Sequence, residues 1–119
     1  MTLEEYIEVC NKYYDYLVLN PNNKCYYINY GERPLFDADY QITNFVYDNE
    51  REDGFGEVYP HCHFVDSYIV SALKPFYKTN DKKQFEKNIQ MYIKNFKKLM
   101  IDLKKEEIEK DFEWLEILH

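Results

Sequence analysis

The sequence is poor in the residues that break or cross-link a chain, with only three glycines, four prolines and three cysteines among its 119 residues. So little glycine and proline excludes a collagen-like or low-complexity chain. No window approaches the roughly 18 consecutive apolar residues that a membrane-spanning helix needs. The acidic first five residues lack the apolar segment of a signal peptide. We therefore expect no membrane association and no export.

The three cysteines, Cys10, Cys25 and Cys62, contain no CxxC pair. An odd and sparse set is a poor framework for disulfide bonds, and reduced thiols are typical of cytosolic proteins. The sequence therefore predicts a cytoplasmic protein. Cys10 falls on an apolar helical face, which favours a buried structural thiol.

Positive charge is also scarce, since 22 acidic residues outweigh 15 basic ones and give a net charge of −7. This balance excludes the basic footprint of a protein that binds nucleic acid directly. Residues 1–72 have 13 acids and 4 bases, whereas residues 73–119 have 9 acids and 11 bases. An acidic front half favours attraction to a basic partner.

Motifs of catalysis and cofactor binding are missing as well. The stretch Gly54-Phe55-Gly56 lacks the Lys-Ser/Thr of a P-loop and the third glycine of a dinucleotide fingerprint. The sequence contains no GxSxG, HExxH or EF-hand pattern. We therefore predict a protein that is not an enzyme and has no cofactor.

His61-Cys62-His63 is the one cluster of metal-ligand residue types. On a strand His61 and His63 would point to the same side, but a zinc site needs three or four ligands. A nucleophilic Cys62 would need an oriented base, which neighbouring positions do not supply. We expect no metal site here, and His61 and His63 remain weak candidate ligands.

Aromatic side chains, by contrast, are abundant. The chain has 13 Tyr, 8 Phe and one Trp, and 45% of its residues are hydrophobic. Such a composition excludes intrinsic disorder. The length fits a single domain over residues 1–119.

The N-terminus carries the pattern of an amphipathic helix. Thr2 and Glu5 have the spacing of a capping box. Asn20-Pro21-Asn22-Asn23 is a turn sequence that would end the helix. Apolar residues recur at helical spacing between these signals; they are Leu3, Ile7, Cys10, Tyr14 and Leu17.

The middle of the chain favours strands. Residues 25–30 are rich in aromatics and predict a strand, and residues 37–48 fit a strand better than the alternative helix because of their β-branched and aromatic content. Residues 49–56 predict a loop, in which Asp53-Gly54 is a hairpin signal. Residues 57–64 then predict a return strand, interrupted by Pro60. Residues 66–73 predict a short helix capped by Asp66.

The last third of the chain favours a long helix. Residues 81–105 predict a helix capped by Asn80 or Asp81, in which an apolar face lies opposite a lysine-rich face. The members of the apolar face are Phe85, Ile89, Tyr92, Phe96, Leu99 and Leu103. Residues 106–116 are acidic, and their apolar positions lie on a different side. The helix therefore either breaks near residues 104–107 and folds back as a helical hairpin, or continues with a second apolar face.

An unbroken helix would present a seam suited to a partner helix or a second copy of the chain. The seam consists of apolar residues that are seven, four and three positions apart, namely Ile101, Ile108, Phe112 and Leu115.

These elements predict an α+β fold, with an N-terminal helix, a small antiparallel sheet from about residue 24 to 64, and a long C-terminal helix or helical hairpin. The alternative is an all-α fold, which would require residues 37–48 and 57–73 to be helical.

An acidic stretch with aromatic neighbours surrounds the expected hairpin turn. Carboxylates pair with Arg and Lys, and rings add contact area and cation–π attraction. The alternative is a solvated hairpin tip. The candidate partner-binding residues are Tyr47, Asp48, Glu50, Glu52, Asp53, Phe55, Glu57 and Tyr59.

The leading hypothesis is a small acidic, tyrosine-rich cytoplasmic inhibitor, such as an immunity protein, an antitoxin-like protein or a viral anti-defence protein. It would neutralise a basic toxin or nucleic-acid enzyme by occupying its active or nucleic-acid-binding surface. The alternative is a structural or adaptor subunit that self-associates through its C-terminal helix as a homodimer. A third hypothesis is a metal-binding protein that uses His61 and His63.

Overall fold

Two helices and eight strands make up the described part of the chain. The computed structural model describes residues 1–20, 25–30, 33–34, 41–59, 62–65, 68–71 and 77–118. The helices are α1 (Leu3–Asn11) and α2 (Lys82–Leu118). The strands are β1 (Leu17–Asn20), β2 (Cys25–Tyr30), β3 (Arg33–Pro34), β4 (Gln41–Asp48), β5 (Asp53–Val58), β6 (Cys62–Val65), β7 (Tyr68–Ser71) and β8 (Tyr77–Thr79).

The main sheet has the strand order β1-β2-β4-β5-β8, with β3 paired to β2, and β6 and β7 form a separate hairpin. All of these pairs are antiparallel. The predicted α+β fold is confirmed, and the all-α alternative is wrong because Gln41–Asp48 forms a strand. The sheet extends beyond the predicted limit at residue 64, since Tyr77–Thr79 supplies its last strand.

Helix α1 begins as predicted and ends earlier than predicted. The side chain of Thr2 accepts the N–H of Glu5, and Glu5 accepts the N–H of Thr2, which completes the capping box. The helix stops at Asn11, and residues 12–16 form a turn. Tyr14, expected on the apolar face, is 72% exposed. The predicted continuation to Leu17 was wrong because Leu17–Asn20 pairs with β2 instead.

The β4–β5 hairpin has its turn before the predicted dipeptide. Residues 49–52 form the turn, and Glu52 adopts the left-handed conformation with φ 58°. Asp53 and Gly54 lie inside β5, where Asp53 pairs with Asp48. The prediction of a loop through residue 56 was therefore wrong. Gly54 and Gly56 are both buried in the strand.

The predicted return strand over residues 57–64 is divided between β5 and β6. The predicted helix over residues 66–73 was wrong, since Tyr68–Ser71 forms strand β7 and pairs with β6. Its Tyr-Ile-Val run has high β propensity, which outweighed the capping signal of Asp66. Asp66 itself and residues 72–73 lie outside the described residues.

Helix α2 is unbroken from Lys82 to Leu118, so the predicted alternative of a helical hairpin is wrong. Its 37 residues contain no glycine or proline, and at 1.5 Å per residue it is about 55 Å long. Asp81 caps it, because its carboxylate accepts the N–H of Gln84 at 3.1 Å. Within the described residues, neither helix is both long and apolar enough to cross a membrane.

Tyr6 of α1 lies at the centre of the core. Its ring centroid is 5.8 Å from that of Tyr26 on β2, 5.4 Å from that of Phe45 on β4 and 5.2 Å from that of Phe85 on α2. Four elements thus meet at one aromatic cluster. Burial of these large rings contributes apolar area, and the Tyr6–Tyr26 pair adds edge-to-face attraction. The cluster fixes the two helices against one side of the sheet.

Candidate functional site

The β4–β5 hairpin carries the candidate partner-binding residues on two faces of the sheet. Opposed residues of an antiparallel pair share a face, and the faces alternate along each strand. Tyr47 opposes Gly54, on the face where Phe45 contacts Tyr6. Phe55 opposes Val46 on the reverse face. The candidates therefore lie on one hairpin but do not form one continuous surface.

Asp53 is bound to the N-terminus of the chain. The Met1 ammonium donates to Asp53 Oδ2 at 2.9 Å and to the carbonyl oxygen of Gly54 at 3.2 Å, and the N–H of Gly54 donates back to the carbonyl oxygen of Met1. Arg51 Nε donates to Asp53 Oδ1 at 3.1 Å. The hydrogen bond from the ammonium, helped by Arg51, lowers the pKa of Asp53. Asp53 thus holds the N-terminus against the hairpin.

Phe55 is flanked by cations of the protein itself. The Lys78 ammonium lies 4.9 Å from its ring centroid, and the Arg51 guanidinium lies 5.8 Å away. Both distances are within the range of cation–π attraction. The ring is therefore already engaged on the reverse face of the sheet.

The other candidates differ in exposure. Glu50 and Glu52 are exposed at the turn, and Asp48 accepts the N–H of Glu50 at 3.0 Å. Glu57 accepts from the Asn44 amide at 3.5 Å. Tyr59 is half-buried, and that burial raises its pKa. The carboxylates most open to a partner are those of Glu50 and Glu52.

A cleft opens between the first turn of α1 and the tip of the hairpin. Its lining combines exposed carboxylates with aromatic side chains, of which Tyr47 is 57% exposed. Carboxylates and an exposed ring that line one cleft are the groups that bind an arginine or lysine side chain. The lining residues are Thr2, Leu3, Glu4, Phe45, Tyr47, Glu52 and Asp53.

Glu4 is not among the candidate residues that the sequence indicated, although it lines the cleft. It joins the cleft because the Met1–Gly54 hydrogen bonds bring the start of α1 beside the hairpin. This contact spans more than 50 residues, and no local pattern signals it. The clustering of acids in both segments is the only hint in the sequence.

The described part of the chain contains the thiols of Cys10 and Cys25, which are both buried. Burial raises the pKa of the Cys10 thiol strongly and that of Cys25 to a lesser degree, which keeps both protonated and disfavours a nucleophilic role. Among the described residues no three His, Cys, Asp or Glu side chains are placed to hold a metal ion. His61 and the side chains of Cys62 and His63 lie outside the described residues, so the metal hypothesis stays a prediction.

A second concave surface lies between the turn at residues 12–16 and α2. We call it the lysine-rimmed groove; it is lined by Tyr13, Tyr16, Gln90, Ile93, Lys94, Lys97, Lys98 and Ile101. The hydroxyl of Tyr13 donates to Glu86 at 3.1 Å and accepts from Gln90 at 2.9 Å. The Tyr16 ring meets Phe96 edge-on at 6.5 Å. Both tyrosines are therefore held in place by α2.

Two members of the predicted self-association seam are exposed on α2. Ile101 is 56% exposed and Ile108 is 47% exposed. Residues seven apart on a helix lie on nearly the same side, so the two isoleucines form one apolar stripe. The side chains of Phe112 and Leu115 lie outside the described residues, although both positions belong to the unbroken helix.

Comparisons with protein-family models, with curated proteins and with solved structures found no match to this chain.

Proposed function

We propose that this protein is a small acidic inhibitor that binds a basic protein partner, such as a toxin or a nucleic-acid enzyme. Binding would cover the active or nucleic-acid-binding surface of that partner. The proposal assigns no catalytic role to any residue, and it places the protein in the cytoplasm, in keeping with Cys10 and Cys25 being outside any disulfide bond.

The cleft beside the hairpin tip is the observation that carries the proposal. Glu4, Glu52 and the exposed ring of Tyr47 converge there. Carboxylates next to a ring suit an arginine or lysine side chain, since ion pairing and cation–π attraction act on the same cation. The excess of acids in residues 1–72 adds a long-range attraction that speeds association with a basic surface.

The experiment compares two double charge reversals. Glu50→Lys with Glu52→Lys changes the hairpin tip and leaves Asp53 bound to the N-terminus. Asp102→Lys with Glu109→Lys changes the net charge equally at exposed positions of α2, far from the cleft. The probe is a synthetic peptide of alternating arginine and glycine, titrated calorimetrically at low and moderate ionic strength.

We expect the hairpin reversal to weaken binding about tenfold or more at low salt, because close charge pairs dominate recognition of a basic surface. The α2 reversal should keep the affinity within about twofold of the wild type. An equal loss in both variants would mean that net charge alone governs binding, and the hairpin tip with its cleft carboxylate Glu52 would be rejected as the site.

Partner capture from the native source extends the test to inhibition. Protein tagged at its C-terminus should retain a basic partner in the wild type and in the α2 reversal, and lose it in the hairpin reversal. Adding the wild-type protein should then reduce the activity of the captured partner on its substrate. Full activity in the presence of saturating protein would contradict the inhibitory role.

A further inference from the structure

The lysine-rimmed groove has an apolar floor and a cationic rim. Tyr13, Tyr16, Ile93 and Ile101 supply the floor. Lys97 lies 5.1 Å over the Tyr16 ring and is exposed, as are Lys94 and Lys98. An apolar helix face flanked by carboxylates would fit this groove, because its apolar side chains would pack on the floor and its carboxylates would pair with the lysines of the rim.

The C-terminal third of α2 has this chemistry. Residues 106–116 contain six acids and one lysine, whereas residues 94–105 contain five lysines and one acid. The same acidic stretch carries apolar residues at the seam positions, beginning with the exposed Ile108. One continuous helix therefore holds both halves of a complementary pair.

The acidic stretch cannot reach the groove of its own chain. Because α2 is unbroken, residue 112 lies about 17 Å farther along the helix axis than Ile101. The occupant must therefore come from another molecule.

We infer that the lysine-rimmed groove binds the acidic C-terminal third of α2 from a second copy of this chain, so that two α2 helices pair antiparallel. A two-fold axis near residues 104–105 brings Ile101 of one copy beside Ile108 of the other. It also lays residues 108–118 of each copy along residues 91–101 of its partner. A parallel pair would instead place lysines against lysines and acids against acids, which is repulsive.

Sedimentation velocity over a range of protein concentrations tests the pairing. The wild-type chain should form a dimer that weakens as salt rises. Ile101→Asp should give a folded monomer, since this side chain is already 56% exposed. The matched control is Tyr47→Asp, which changes an equally exposed side chain on the hairpin and should remain a dimer. A wild-type monomer at all concentrations, or a dimer that survives Ile101→Asp, would overturn the inference.

Charge exchange tests the groove itself. One variant carries Lys94→Glu, Lys97→Glu and Lys98→Glu; the other carries Glu109→Lys, Glu113→Lys and Glu116→Lys. Each should be monomeric alone, and an equimolar mixture should form a heterodimer. Two variants that dimerise as well as the wild type would reject the lysine rim as the contact.

Disulfide trapping tests the orientation in a Cys62→Ser background. A mixture of Ile101→Cys and Ile108→Cys chains should cross-link unlike chains in preference to like ones. Preferential links between like chains would indicate a parallel pair and overturn the proposed geometry. These tests are independent of the inhibitory function, because sedimentation and cross-linking of this chain alone involve no basic partner.

Discussion

The ring of Phe85 on α2 packs directly onto the backbone of Gly56 in β5. A Cβ at residue 56 would lie 2.6 Å from Cε2 of Phe85 and 2.7 Å from Cε of Met1. Both neighbours are buried in the core, so an added methyl group would force at least one of them to shift. This contact sets how closely α2 approaches the sheet.

Gly56→Ala should therefore lower the free energy of unfolding by about 1–3 kcal/mol through overpacking. Urea denaturation measures the loss. Phe85→Leu, which shortens the opposing side chain, is the partner in a double-mutant cycle. The double variant should lose less than the two single variants together, because the leucine leaves room for the added methyl group. Strict additivity would contradict the proposed clash.

Asp53→Asn should change how stability depends on pH. The pKa of Asp53 is lowered by its hydrogen bond from the Met1 ammonium, so the carboxylate stabilises the fold above the ordinary pKa of an aspartate. That contribution is lost as pH falls through the lowered value. The difference in stability between wild type and variant should thus be constant near neutral pH and shrink below about pH 4.

Urea titrations at several pH values measure this difference, and the exposed Asp102→Asn serves as control. A difference that persists unchanged in acid would exclude the ion pair as its source.

Asp81→Ala should remove the N-cap of α2. The carboxylate of Asp81 accepts the N–H of Gln84, and loss of such a cap costs about 1 kcal/mol. Asp81→Asn keeps a side-chain acceptor and should retain most of the stability. Thermal denaturation of the three proteins distinguishes them. Equal melting temperatures for the alanine and asparagine variants would mean that the cap bond contributes nothing.

Tyr47→Ala should weaken binding of the arginine–glycine peptide, whereas Tyr47→Phe should preserve it. An exposed cation–π contact is worth about 0.5–1 kcal/mol, which corresponds to a two- to fivefold loss of affinity. Calorimetric titration at fixed ionic strength gives the ratio. Because neither change alters the charge, a loss in the alanine variant reports on the ring. A similar loss in the phenylalanine variant would shift the role to the hydroxyl group.

The parts of the fold that local pattern encodes were predictable. The capping box of Thr2 and Glu5 formed as its spacing indicates. The apolar face of α2 points inward at Phe85, Ile89 and Tyr92, all of which are buried. In both cases the residues that act together lie three or four positions apart in the sequence, so their spacing alone predicts the local structure.

Contacts between distant segments were not predictable in the same way. Helical spacing extended α1 to Leu17, but pairing with β2 turned that residue into a strand. Gly54 resembled a turn residue, but it lies within β5. A Cβ there would lie 2.6 Å from Cε2 of Phe45, so close packing against that ring, and not turn geometry, favours glycine at this position. The cleft depends on the Met1–Asp53 contact, for which no local sequence pattern gives a signal.

The two strands at the ends of the main sheet are short, with four residues in β1 and three in β8. Beyond β8, the backbone of Met1 continues the edge of β5 through its paired hydrogen bonds to Gly54. A short or covered edge offers another chain little backbone to extend, which is how natural sheets avoid cross-β stacking. These two ends of the main sheet should therefore resist pairing with another chain, and association between copies should proceed through side chains of the helices.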